Sequence, residues 1–419
     1  MEKNCNLAAL LWDESYLYGI WLYQALLKSR INFDLIKASE LTKLEKYKIL
    51  FVPGGWASNK IKALGSKGAS YIRRFVKKGG IYFGICGGAG LVTSEELNLV
   101  NIKRKKQRVP AFSGKIKAKL YSHPLWQGIN IPEFYLWWPS EFLLEETNNM
   151  KILAKFDKAL KDSFSSDLPV RDFQNLWKEA EKLYEIFLNP ERMKNTPLLI
   201  EITYEKGKIY LSLIHFDTPG DKNGLRVLKN IKNLFNLAPL KPRTFKNFSI
   251  FKKSPNYFLA KTIIRFLLKE MEEIMILGER NFLWFKRHPE IYQWKRGIRG
   301  SEYVNLWYML KILKKNFIYF PFTDIPLKKL KEIKIDLKKF SKEAKKLLAK
   351  ERLALQKDKI IFNFCEDEEI NELRTFLFGK SKSYGGYYKT LIKKIDEVLF
   401  EVLKTKLILI KGLHSKEKE

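Results

Sequence analysis

Gly79-Gly80-Ile81-Tyr82-Phe83-Gly84-Ile85-Cys86-Gly87-Gly88-Ala89-Gly90 is the stretch that decides how this chain is read. A short apolar run ends abruptly in a cysteine set among glycines. Ile81 to Ile85 is too short for a helix and suits a buried parallel strand. Glycines on either side of Cys86 permit the sharp, strained strand-to-helix turn called a nucleophile elbow, which lifts a side chain out of the sheet. The turn also puts the thiol at the start of the next helix, where partial positive charge favours thiolate, the form that attacks carbonyl carbon. Cys86 is therefore read as a candidate nucleophile rather than as a small buried core residue.

Working back toward the N-terminus, Asn6 to Trp12 is an apolar run, and Tyr16 to Ser29 carries a broad helical stripe of Leu17, Ile20, Trp21, Tyr23, Leu26 and Leu27. Asn32 to Ala38 reads as a second strand and Lys48 to Pro53 as a third, its continuous Ile49-Leu50-Phe51-Val52 run being what a sheet covered on both faces requires. Gly65 to Gly68 reads as a flexible loop, and Tyr71 to Lys78 as an amphipathic helix. Strands alternating with helices imply a parallel, doubly wound α/β layer with its crevice at the carboxyl ends of the strands.

Beyond the elbow the pattern turns to hairpin-like segments, Gly114 to Tyr121, Glu133 to Leu144 and Lys151 to Phe156. A helical insertion is expected between Leu168 and Leu188, with Leu176, Ala180, Leu183, Ile186 and Phe187 at core spacing. Pro197 to Ile202 and Lys208 to Ile214 form two strands, and Leu225 to Leu237 a closing helix. Ala238-Pro239-Leu240-Lys241-Pro242 reads as a boundary between a domain of residues 1–240 and one of residues 241–419. The second is expected to be a helical bundle, with helices over Phe258–Leu277, Glu302–Lys315, Leu327–Leu355, Glu366–Phe378 and Tyr387–Ile410. Its aromatics, Phe282, Trp284, Phe285, Tyr292, Trp294, Trp307 and Tyr308, are read as core at helical spacing.

Composition narrows the function classes. Lysine and arginine number 78 against 46 acids, a formal charge of +32, but the basic clusters are interleaved with acids as on solvated helix faces, so specific nucleic-acid binding is not expected. Cys5, Cys86 and Cys365 lie far apart without metal-ligand spacing, and three cysteines do not make a disulfide framework, so no metal is expected. No run reaches a membrane-spanning length, the nearest being the lysine-interrupted Ile392 to Leu413. A cytosolic, reducing setting without a signal leader is expected.

A cysteine nucleophile needs a base, and the base an acceptor that fixes its tautomer. The histidines are His123, His215, His288 and His414. His414 falls in the charged tail and His288 in the helical half, which leaves His123, in a loop after a strand, and His215. His215 ends an apolar strand with Asp217 two residues on, a spacing that puts both side chains on one face of a strand.

Taken in order, Pro53-Gly54-Gly55, then Gly84-Ile85-Cys86-Gly87-Gly88, then Gly207-Lys208-Ile209-Tyr210 leading to His215-Phe216-Asp217, resemble the class I glutamine amidotransferase-like superfamily. Within it, Gly65-Ser66-Lys67-Gly68-Ala69, the helix from Tyr71 to Val76 and the Gly79-Gly80 pair are similar to the biotin-protein ligase N-terminal domain family, over about residues 5–237. The resemblance implies a flavodoxin-like, mostly parallel sheet, with Cys86 as nucleophile, His215 as base, Asp217 as orienting acid and the Gly55 and Gly87 N–H groups as oxyanion hole. Gly54, Trp56 and Gly88 beside them are the expected pocket wall. Two departures bear on substrate. His215-Phe216-Asp217 stands where amidotransferases usually carry His-Pro-Glu, and Gly90 stands where they commonly carry the Gln or Glu that holds glutamine. Glutamine is thus not the expected substrate.

Biotin ligation is not expected either. The nearest string to a biotinyl-adenylate loop, Lys295-Arg296-Gly297-Ile298-Arg299-Gly300, falls in a helical pattern, and no cofactor is implied. The expectation is an amidotransferase-like enzyme acting on an amide or related acyl C–N bond of a small-molecule substrate through a Cys86 thioester, its helical half holding a protein partner or substrate. The alternative is a non-catalytic module of the same fold that binds a small molecule or docks a partner.

Overall fold

Strands β1 (Ala8–Leu11), β2 (Phe33–Ile36), β3 (Ile49–Val52) and β4 (Ile81–Ile85) are buried at nearly every position, as runs apolar on both faces must be to escape water. This is a computed structural model, and it describes residues 6–145, 148–241, 255–357, 360–361, 364–380 and 384–412. Cys5, His414 and the Pro242 end of the boundary segment lie outside the described residues. The chain divides into two compact units, Met1–Lys241 and Pro242–Glu419.

In the first unit, helices α1 (Tyr16–Lys28), α2 (Ala57–Lys77) and α3 (Gly87–Gly90) follow β1, β3 and β4. Then come β5 (Ile102–Arg104), β6 (Phe112–Leu120), β7 (Glu133–Trp137), β8 (Phe142–Leu144), β9 (Met150–Ala159), β10 (Phe164–Ser165) and β11 (Leu168–Pro169). Helix α4 (Trp177–Tyr184), strands β12 (Pro197–Tyr204) and β13 (Gly207–Ser212) and helix α5 (Lys222–Leu234) complete the unit. Among the described residues an 11-stranded sheet runs β11-β10-β6-β9-β12-β13-β4-β3-β1-β2, with β7 paired to β6.

The part from β13 to β2 is parallel throughout. Its order is that of flavodoxin-like doubly wound sheets, as expected, with the reversal between β1 and β3 where such sheets open a crevice. From β12 outward the pairing is antiparallel, and these strands carry the hairpin-like segments. Register aligns the strand ends that matter: Val52 faces Gly84, and Ile85 faces Ser212, so the loops leaving β3, β4 and β13 emerge side by side. Below them Phe51, Phe83 and Tyr210 meet in register, with ring centroids 5.7 Å and 5.6 Å apart. Burying side chains of this size stabilises by about 1.5–3 kcal/mol each.

Three local expectations are corrected. Gly65 to Gly68 is not a loop; α2 runs through it with a break at Gly65 (φ 60°, ψ −178°), a conformation glycine tolerates without a Cβ clash. The Leu168–Leu188 insertion is mostly non-helical, and α4 is only 8 residues long. Leu176 and Leu183 are 43% and 69% exposed, so that stripe does not face a core.

The second unit is built on α6 (Pro255–Arg280), α7 (Ser301–Asn316), α8 (Asp324–Gln356), α9 (Glu368–Phe378) and α10 (Gly386–Lys411). Burial along α6 falls at Ala260, Ile263, Ile264, Leu267, Leu268 and Met271, the spacing of a helix with one apolar face. The aromatics before α7 are not helical. They lie on or beside a hairpin of β14 (Trp284–His288) and β15 (Ile291–Trp294), in which Trp284 and Tyr292 are buried while Phe282, before the first strand, is exposed. The Lys295–Gly300 string likewise forms the turn from β15 into α7 rather than a helix. A short pair, β16 (Ile360–Ile361) and β17 (Phe364–Cys365), lies between α8 and α9. No helix among the described residues is long and apolar enough to cross a membrane.

Candidate active site

Cys86 adopts φ 52°, ψ −111°, strained for a residue with a Cβ, at the point where β4 stops and α3 starts. The surroundings hold it there. Its N–H donates to Ser212 O at 2.7 Å, and the Tyr82 hydroxyl donates to Gly88 O at 2.6 Å from beneath the turn. Gly87 must be glycine, since a Cβ there would lie 1.7 Å from Gly55 O. The carboxyl ends of β3 and β4 are thereby pressed together backbone to backbone. Neither the Gly55 nor the Gly87 N–H is taken up by a carbonyl among the described residues. α3 is a single turn, too short for the helix-end field expected from the sequence to amount to much.

His215 and Asp217 follow β13, not on the strand but in a turn closed by Thr218 N donating to His215 O at 3.1 Å. The turn does what strand alternation was expected to do. His215 Nδ1 lies 3.0 Å from Asp217 Oδ1, with both side chains wholly buried. The other atoms of the pair, Nε2 and Oδ2, have no hydrogen-bond partner among the described residues. Burial disfavours the imidazolium, but Asp217 and the nearby Cys86 sulfur outweigh it and raise the His215 pKa to about 10. Although that sulfur is near enough to favour a protonated ring, its own hydrogen bond runs to Trp137 O at 3.8 Å. Asp221 caps α5, and burial raises its carboxyl to about 6.

Sequence reasoning missed the wall around the histidine. Trp137, at the end of β7, accepts from Cys86, and its indole N–H donates to Thr218 Oγ1 at 3.0 Å. A single antiparallel bridge, Leu136 to Ile214, and His215 N donating to Tyr135 O bring β7 across to this loop. Tyr18 from α1 lies 5.1 Å from the His215 ring, and Trp21 meets it edge-on at 6.4 Å. Gly54 packs against Tyr18, while Trp56 stands 42% exposed at the mouth of α2. The Trp137-Trp138 pair was the one sequence signal of this wall, and nothing local says which strand it would cover. His123 is engaged elsewhere. Its Nδ1 accepts from Leu125 N, and its Nε2 lies 3.3 Å from Glu201, whose carboxyl, despite burial, is held at about 2 by His123, Lys208 and Tyr210.

Residues 22–104 match the family described as Biotin-protein ligase, N terminal. The biotin-protein ligase N-terminal match takes in the Gly54-Gly55 turn, α2, β4 and Cys86, so the resemblance read from the motifs is found over that span. It ends well before His215. No curated protein matches the chain. PurLQS from Thermotoga maritima is similar in fold at 13% identity, over 54% of this chain and 98% of that one, with a TM-score of 0.40. A β-galactosidase from Bacillus circulans sp. alkalophilus is similar at 16% identity, over 56% of this chain and 32% of that one, with a TM-score of 0.35. Likenesses this loose say nothing of chemistry.

Proposed function

We propose that the first unit cleaves an amide or related acyl C–N bond of a small molecule, with Cys86 as nucleophile, His215 as proton carrier and Asp217 as the group that orients it. One observation carries this reading: a buried His215–Asp217 pair at 3.0 Å whose outer nitrogen is unpartnered, set beside a strained cysteine. Asp217 accepts a hydrogen bond from Nδ1–H and leaves Nε2 to face the chemistry. A protonated ring beside the sulfur favours thiolate. The sulfur attacks the carbonyl carbon, an S–C bond forms, and the oxygen takes the carbonyl π electrons. The N–H groups of Gly55 and Gly87 receive that oxyanion, each such donor being worth about 3 kcal/mol in the transition state. As the tetrahedral species collapses the C–N bond breaks, and the Nε2 proton passes to the leaving nitrogen. Water then attacks the thioester carbon, His215 takes its proton, the S–C bond breaks to return the thiolate, and the acid leaves.

The test is transfer of acetyl from p-nitrophenyl acetate, followed by intact mass. An acetyl adduct that appears in the wild type and disappears in Cys86→Ala is expected, and an equal adduct in Cys86→Ala overturns the assignment.

One observation favours the second reading, a non-catalytic binding module: the sulfur's hydrogen bond goes to Trp137 O rather than to His215. Alkylation decides. An activated Cys86 reacts with iodoacetamide near pH 6 faster in the wild type than in His215→Ala, whereas in a binding module the two rates are alike.

A further inference from the structure

Lys60 is a lysine where lysine is costly. It sits in the first turns of α2, 1% exposed, with its N–H donating to Trp56 O at 3.0 Å. Its Nζ donates to Asp13 O at 3.0 Å and to Ser15 Oγ at 2.5 Å. Both acceptors belong to the segment leaving β1, which is itself strained, with positive φ at Glu14 (53°) and Tyr16 (46°). A buried ammonium gives up hydration that an apolar side chain of similar length would never need, so the partners it gains are what keep it there.

Those partners lie directly under the Gly54-Gly55 turn. Gly55 has φ 114°, and a Cβ on it would fall 2.5 Å from Glu14 O and 3.5 Å from Lys60 Cε. On the other side the same residue's carbonyl touches Gly87. The stack therefore runs from the Lys60 ammonium and the Asp13–Ser15 backbone, through Gly55, to Gly87 next to Cys86. What lies beneath Gly55 sets how far its N–H stands from the reacting carbonyl, and small displacements of such donors are costly to rate.

We propose that Lys60 is a positioning residue for the oxyanion side of the site, its ammonium tying the backbone that leaves β1 to the underside of the Gly54-Gly55 turn. This role rests on the nucleophile reading above. It differs from simple bracing because it acts on reactions that create an oxyanion and not on those that do not. Acetyl transfer from p-nitrophenyl acetate to Cys86 passes through an oxyanion, whereas alkylation by iodoacetamide displaces iodide at a saturated carbon and does not.

Both rates are measured on the full chain, together with the thermal midpoint. Lys60→Met is expected to slow acetyl transfer about ten-fold while leaving alkylation unchanged, and Lys60→Arg to restore part of the loss. Parallel loss of both rates, or loss of neither, overturns the proposal. If Lys60→Met does not fold, Ser15→Ala removes one acceptor and should show the same split on a smaller scale; an even loss there overturns it equally. A wild type that forms no acetyl adduct at Cys86 overturns the nucleophile reading and this role with it. A normal adduct in the wild type with no split in the variants overturns the role of Lys60 alone.

Discussion

His215 Nδ1 stands 3.0 Å from Asp217 Oδ1 with no solvent reaching either side chain, while Nε2 and Oδ2 on the outer ends go without partners among the described residues. Buried polar atoms left unpaired cost about 1–3 kcal/mol each, so a pair with two of them is expensive as scaffolding. Unpaired Nε2 is, however, what a proton-transferring imidazole needs. Asp217 also borders a cavity of about 10 Å³ lined by Trp21, Gln24 and Thr218, the volume of about one water.

Removal of each member of this set should act differently. In acetyl transfer, Cys86→Ala and His215→Ala are expected to fall to background, while Asp217→Asn keeps a residual rate because it disturbs the tautomer more than it removes a reacting group. Stopped-flow release of p-nitrophenolate measures all three. Asp217→Asn indistinguishable from wild type would mean that the 3.0 Å contact has no part in the chemistry.

The raised pKa of His215, about 10, fixes the pH dependence. A histidine raised from its ordinary value of about 6.5 adds stability that is fully present below 6.5 and is lost as pH rises through about 10. The wild type should therefore lose stability as pH rises from about 7 through about 10. In His215→Ala that loss should be absent, since the group that carries it is gone. Urea denaturation of the two proteins across that range checks both, and a wild type that loses no more stability than His215→Ala would show that the ring is neutral.

Glycines near the elbow are predicted to differ sharply. An alanine Cβ at Gly87 would sit 1.7 Å from Gly55 O, backbone against backbone, whereas at Gly90 the nearest atom is Ala57 Cβ at 3.6 Å. Gly87→Ala should cost more than about 3 kcal/mol or prevent folding, and Gly90→Ala about 0–1 kcal/mol. Urea denaturation of the two variants measures this, and a stable Gly87→Ala would mean that the β3 and β4 ends can part.

A chain ending at Lys241 should fold by itself, because Met1–Lys241 is compact and holds the large sheet with its own buried aromatics. Cooperative thermal unfolding and retained Cys86 reactivity are the expected results. An insoluble or molten product would show that residues 242–419 complete its core.

Much of the first unit could be read locally. Ile81–Ile85 running into Cys86 among glycines dictates a strand and a sharp turn wherever it folds, because apolar continuity and the conformational freedom of glycine are properties of the segment itself. The pairing of His215 with Asp217 was also written in their spacing, although a turn and not a strand brings them together. The helices of the second unit followed from their period, and the β14–β15 hairpin escaped because aromatics at short spacing satisfy a helix and a strand pattern alike.

Tertiary structure alone decided what surrounds those residues. Trp137 reaches Cys86 only because β7 pairs with β6 and bridges Leu136 to Ile214, contacts between segments far apart in the chain. Lys60 lies under Gly55 only because α2 packs against the exit of β1, and His123 is withdrawn from candidacy only because Glu201, on β12, is folded against it. The sequence by itself determined which groups could react, since that depends on residue type and on neighbours a few bonds away. Which of them meet, and which surrounding groups set their charge and position, depended on the order in which the strands pair, and strand pairing is set by the burial of whole faces rather than by any one stretch of sequence.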